Sequence, residues 1–135
     1  MHWVAYSSDE SGAAELYVRP FLDSSGNLAS SQTRKWQISA NGINVNSFLR
    51  WSRDGKALYY QSSDNKMISV DINAEGSTLG VGRVDQLFEI KSKGLILFQD
   101  VTADGQQFLF LRAVGGESAM PVSLITNWDA EARKK

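Results

Sequence analysis

A chain of 135 residues, 42% hydrophobic and 21% charged, has the composition of one folded domain and is long enough to bury a core. Its 14 basic and 15 acidic residues leave a formal net charge of −1, which gives no electrostatic footprint for nucleic acid or an anionic membrane. Having no cysteine excludes disulfides, zinc–thiolate sites and thiol nucleophiles, and no apolar run approaches the roughly 20 residues of a membrane-spanning helix.

Along the chain, helical periodicity is absent. Short runs of β-branched and aromatic residues recur instead, separated by Gly, Asn, Asp and Ser, the pattern of consecutive antiparallel strands. Strands are expected at 3–6, 15–21, 35–39, 47–52, 57–61, 66–72, 86–90, 95–101, 107–113 and 122–128. The opening Met1-His2-Trp3-Val4 has neither the basic nor the apolar region of a signal peptide and runs straight into the first strand.

The strands repeat. FLRWSRDGKALYYQSS (48–63) aligns with FQDVTADGQQFLFLRA (98–113), placing Asp54-Gly55 on Asp104-Gly105. Asp-Gly between two strands is a hairpin signal, because glycine takes positive φ without steric cost. A third copy opens the chain: WVAYSS aligns with ALYYQSS, and ELYVRPF with KMISVDI. The unit is strand, Asp-Gly turn, strand, polar turn, strand, long loop, strand, the plan of a four-stranded propeller blade. The fold expected is all-β, a partial β-propeller of about three four-stranded antiparallel blades at 1–45, 46–92 and 93–128, with a tail at 129–135. The first blade lacks its innermost strand and the last its outermost. FLFL (108–111) is apolar on both faces, as a strand between two sheets must be, while Ile68, Val70 and Ile72 alternate with polar residues.

RWSRDGKALYY and VTADGQQFLFL resemble the TolB-like (WD-like) bacterial propeller repeat, with Arg53 or Ala103 where the family repeat has proline. The whole chain resembles the C-terminal part of propellers fused to bacterial serine/threonine kinases, through YVRPF, KWQIS and the terminal PVSLITNWDAEARKK in that order. The resemblance implies a natural C-terminus, an N-terminus cut from a longer chain, and a periplasmic or otherwise extracytoplasmic setting. It carries over no catalytic residue, because the repeat is a structural motif.

Chemistry is hard to place on these residues. His2 is the sole histidine and sits at the end of the chain, where no triad or histidine metal site forms. Asp54 and Asp104 hold equivalent hairpin positions, which an Asx-type hydrogen bond explains better than paired catalytic carboxylates. Asp64-Asn65 and 71–76 lack calcium-loop spacing, Gly80-Val81-Gly82-Arg83 lacks the context of a phosphate cradle, and Ser52-Arg53-Asp54-Gly55-Lys56 leads into Ala57 rather than the Thr-Trp of a sialidase box. The aromatics Trp36, Trp51, Tyr59, Tyr60, Phe108 and Phe110 are expected to pack between blades, and Pro121, after 115–118, to set up the last strand.

The function expected is therefore non-enzymatic: a module for protein or ligand binding or scaffolding, a sensor part of a larger signalling or cell-envelope protein, with no cofactor and no metal. The alternative is a fragment of a propeller hydrolase, or of a peptidase-gating propeller, whose catalytic residues lie outside the chain. Propellers bind at the loops entering innermost strands and those joining second to third strands, here 8–13, 41–46, 63–65 and 92–94. Asp9, Asn44, Asn46 and Asp64 are the candidate ligand-binding residues at that rim, with Arg50 facing the channel. The partner expected is a second copy of the chain, a dimer closing a six-blade ring, since open sheet faces and edges invite pairing.

Overall fold

A computed structural model describes residues 2–22, 25–28, 34–76, 78–91, 94–112 and the backbone of 122–125. The expectations for Ser92, the 115–118 loop, Pro121, residues 126–128 and the 129–135 tail lie outside the described residues. The described chain is all-β, with ten strands and no helix, and hence no helix able to cross a membrane. The strands are β1 (His2–Ser8), β2 (Glu15–Leu22), β3 (Trp36–Gln37), β4 (Arg50–Trp51), β5 (Ala57–Gln61), β6 (Lys66–Glu75), β7 (Thr78–Glu89), β8 (Ile96–Val101), β9 (Phe108–Arg112) and β10 (Val122–Ile125). They form three separate antiparallel sheets, β1-β2-β3, β4-β5-β6-β7 and β10-β9-β8, each joined in sequence order.

Every strand falls where a β-rich run sits in the sequence, and one connection differs from expectation. The long loop expected between 72 and 86 is instead a continuation of β6 and β7, paired from Ile72↔Val81 to Glu75↔Thr78. Apart from Ile72 and Leu79, this extension is solvated on both sides, so its polar composition mimics that of a loop.

The middle sheet is covered on both faces. Side chains alternate across a strand, so Leu58 and Tyr60 of β5 share one face with Ile68, Val70 and Ile72 of β6. That face meets Leu16, Val18, Ile38 and Ile43 of the first-sheet region in one core, edged by Trp3, Trp36 and Trp51. The opposite face presents Tyr59 and Met67, and with Phe88 and Ile90 these enclose Ile96, Phe98, Phe108 and Phe110. The rings there meet edge-on: Phe88 and Tyr59 stand 5.4 and 5.7 Å from Phe108 at interplanar angles of 76° and 79°. The aromatic residues expected between blades do pack between sheets.

Gln61 joins the middle and third sheets by hydrogen bonds. It is fully buried; its Nε2 donates to the Ile96 carbonyl at 2.9 Å, and its Oε1 accepts from the Phe98 amide at 2.9 Å. The side-chain amide thus stands in for a neighbouring strand along the free edge of β8. The next group on that edge, the Phe98 carbonyl, accepts from the Phe48 amide at 3.0 Å.

Substitutions at Gln61 and at the Gly55, Gly105 and Tyr59 positions test this architecture. Gln61→Leu keeps the volume but leaves the buried Phe98 amide unpaired, and chemical denaturation should show a loss of about 1–3 kcal/mol. Gly55 and Gly105 have φ of 72° and 70°, so alanine strains both by about 1–2 kcal/mol. A Cβ at Gly55 meets open space, whereas one at Gly105 would lie 2.7 Å from the Tyr59 hydroxyl. Gly105→Ala should therefore cost more than Gly55→Ala, and Tyr59→Phe should narrow the difference.

Candidate binding rim

Three of the loops expected to form a rim, 8–13, 41–46 and 63–65, come together at one end of the first and middle sheets. Residues 41–46 run between the β1–β2 loop and the β5–β6 turn. The Ile43 amide donates to the Ala14 carbonyl at 3.1 Å, and the Asn44 amide to the Gln61 carbonyl at 2.9 Å. The Ser63 hydroxyl donates to the Asn41 carbonyl at 3.1 Å. Glu15, buried at the start of β2, anchors this loop. One of its carboxylate oxygens accepts from the Gly42 amide at 3.0 Å, the other from the Ser39 hydroxyl, which itself accepts from the Leu16 amide at 2.8 Å. Tyr60 lies close by; burial first, then the Glu15 and Asp64 carboxylates, push its phenol above the usual tyrosine range.

The five sequence candidates divide by how their side chains are used. Asp64 sits in a turn of its own. Its Oδ1 accepts from the Ser62 hydroxyl and its Oδ2 lies 3.1 Å from the Lys66 ammonium. The same turn occurs twice more. The Ser52 hydroxyl donates to Asp54 at 2.6 Å, and the Lys56 amide donates to the same carboxylate at 3.0 Å. The Thr102 hydroxyl and the Gln106 amide do likewise for Asp104. Asn65, at φ 61°, takes the left-handed position held by Gly55 and Gly105, which disguises the third copy in the sequence. Asn44 is also used locally, its Oδ1 accepting from the Asn46 amide at 3.0 Å. Arg50 lies beside Asp100 at 3.3 Å, donates to the Leu49 carbonyl and rests 4.8 Å from the Phe48 ring.

Asp9 and Asn46 remain. Asp9 contributes its backbone carbonyl to the Gly12 amide at 2.9 Å, and Asn46 contributes its own amide to Asn44. Neither side chain is tied into a turn. Asp9 lines an open cleft of about 350 Å³ with Ser7, Ser8, Ala14 and the exposed Val45, which adjoins Asn46. The rim therefore offers a carboxylate, hydroxyls and an apolar tip, with an amide beside them. Sequence reasoning missed Glu15, whose signal is a single acid opening the apolar run ELYV, and Val45, an apolar residue between two asparagines. Comparisons with known protein families, with characterised proteins and with solved structures find no match to this chain.

The three turn carboxylates dictate an acid limb of stability. Asp54, Asp64 and Asp104 are each held below the ordinary aspartate range, first by the hydroxyl of Ser52, Ser62 or Thr102. A lowered folded-state pKa stabilises the fold above the unfolded value of about 3.9, and the contribution is lost as pH falls through the folded value. The Tm should therefore drop as pH falls below about 4. A triple Asp54→Asn, Asp64→Asn, Asp104→Asn variant should show a flatter Tm profile below that pH; an unchanged slope would contradict the turn assignment.

Proposed function

We propose that this chain is a β-propeller segment that binds rather than catalyses, with three blades of the TolB-like type, serving as a recognition or scaffolding part of a larger signalling or cell-envelope protein. One observation carries the ring geometry. Under rotation about an axis, a residue moves in proportion to its distance from that axis, so equivalent residues of successive sheets that touch must lie beside it. Phe48 and Phe98 are equivalent in the repeat, as are Arg50 and Asp100. The Phe48 amide bonds the Phe98 carbonyl, and Arg50 meets Asp100 fifty residues on. The strands carrying these residues are the innermost of their sheets in the aligned unit. A hub lined by β4 and β8 accounts for both contacts.

Binding is favoured over catalysis by where the polar groups are used. The carboxylates of Asp54, Asp64 and Asp104 close turns, and Glu15 and Ser39 hold a loop. Ser39 donates to a carboxylate with no imidazole between them, which is not an activated nucleophile. The rim cleft beside Asp9 and Val45 instead has the mixed polar and apolar lining of a recognition surface.

Two measurements test these two parts. Slow amide exchange at Phe48 reports the hub contact, and rapid exchange there would remove the ring geometry. For binding, the purified chain is applied to peptide and glycan arrays. A captured probe should bind at least tenfold more weakly to Asp9→Ala and Asn46→Ala variants of unchanged Tm. Equal binding by both variants would rule out this rim as the site.

A further inference from the structure

Among the described residues, the face of the first sheet turned away from the middle sheet meets no other sheet, although Tyr17 on it is buried beside Tyr6. Cross-strand partners share a face, which places Val4 with Arg19 and Tyr6 with Tyr17, and Phe21 follows by alternation along β2. Aligning Trp3 to Ser7 on Ala57 to Gln61, and Glu15 to Phe21 on Lys66 to Ile72, sets these residues on Leu58, Val70, Tyr60, Ile68 and Ile72. In the middle sheet that face is buried by the first sheet. In the third sheet the same face, carrying Phe108 and Phe110, is buried by the middle sheet. The leading face is thus covered by a neighbouring sheet in two cases and, among the described residues, meets none in the first sheet. The open copy holds an apolar cleft of about 460 Å³ lined by Val4, Tyr6, Arg19, Phe21 and Leu28, and Phe21 is 51% exposed. Tyr, Tyr, Arg and Phe replace Tyr, Ile, Val and Ile of the covered version. Aromatic residues and arginine mark surfaces that separately folded partners share.

The other end of the molecule carries the complementary surface. Leu109 and Leu111 occupy the positions of Tyr59 and Gln61, which in the middle sheet belong to the face laid on the next sheet. Leu97, opposite Leu111, is already buried, and among the described residues the open part of the face is a cleft of about 350 Å³ lined by Asp100, Val101, Thr102, Gln107 and Leu109. One chain therefore carries both halves of an interface that it builds twice internally.

We infer that a second copy of this chain is the partner: the Leu109 face of each copy docks on the Val4–Tyr6–Phe21 face of the other. Two such contacts close a two-fold ring of six sheets, within the four to eight blades of closed propellers. The inference rests on the propeller geometry proposed above.

The test is light scattering on the whole chain, with Phe21→Asp altering one face and Leu109→Lys the other; Gln107→Lys replaces the latter if Leu109→Lys does not fold. The wild type should have twice the 14.9 kDa chain mass at micromolar concentration. Each variant alone should dissociate at least tenfold more readily, because every junction then has one spoiled half. A 1:1 mixture should recover the dimer, because a mixed pair concentrates both changes in one junction and leaves the other intact. Recovery also shows that both variants are folded. A wild-type monomer whose Phe48 amide stays protected would overturn the self-pairing and leave the ring geometry standing, whereas loss of that protection would remove both. Variants that fail to complement, or masses that climb without limit as concentration rises, would overturn reciprocal two-fold closure.

Discussion

The edge of β8 is the place where the third sheet depends on the middle one. A strand edge presents N–H and C=O groups that must be paired wherever water is excluded. Here Ile96 and Phe98 find their partners in a side chain, Gln61, and in the amide of Phe48, which enters the middle sheet from the preceding loop. The polar pairing fixes the relative position of the two sheets, and the apolar contacts follow from it. With the Gln61 amide in place, Phe98, Phe108 and Phe110 fall between Met67, Tyr59 and Phe88. A buried polar side chain bonded at both ends of its amide favours one alignment over others that an apolar interface alone would allow.

The second constraint is size. A sheet of three or four short strands has two faces and no interior, so apolar residues on either face need another element to cover them. The middle sheet meets this by being covered from both sides, and alternation along β5 divides the work: Leu58 and Tyr60 serve one interface, Tyr59 and Gln61 the other. The turns between strands are correspondingly uniform. Three times a serine or threonine hydroxyl donates to an aspartate two residues on, and a left-handed residue follows the aspartate. Using one turn for different strand pairs keeps register fixed where a slip of one residue would exchange the two faces.

The sequence makes much of this legible because period-two alternation and the turn residues act locally. Ile68, Val70 and Ile72 point the same way for the reason alternation gives, and Asp54-Gly55 and Asp104-Gly105 turn the chain where glycine permits it. Legibility fails where local chemistry is ambiguous. Residues 73–85 look like a loop, since a two-stranded ribbon with water on both sides needs no apolar alternation and a register shift interrupts what alternation there is. Asp64 looks like a free rim carboxylate because asparagine rather than glycine follows it, concealing its identity with the turns at Asp54 and Asp104. Arg50 is on the first strand of the middle sheet, and only the fold brings Asp100 to it. The pairing of Glu15 with Ser39 and Gly42 spans loops whose approach no local pattern encodes.

The distribution of polar groups has a consequence for function. A carboxylate that already accepts a hydroxyl and an amide must surrender both to meet a ligand, and its turn loosens as it does so. Asp54 and Asp104 are committed in this way, as is Glu15 at the base of the rim loop, while Asp64 is held by the Ser62 hydroxyl and the Lys66 ammonium. Asp9 and Asn46 use only backbone groups in their turns, so their side chains can engage a ligand without taking the turn apart. The loop carrying Asn46 is anchored from beneath, at Gly42 by Glu15 and at Asn44 by the Gln61 carbonyl. Adaptable polar groups carried on backbone that is held in place is the arrangement that lets a small loop surface recognise a partner at low entropic cost.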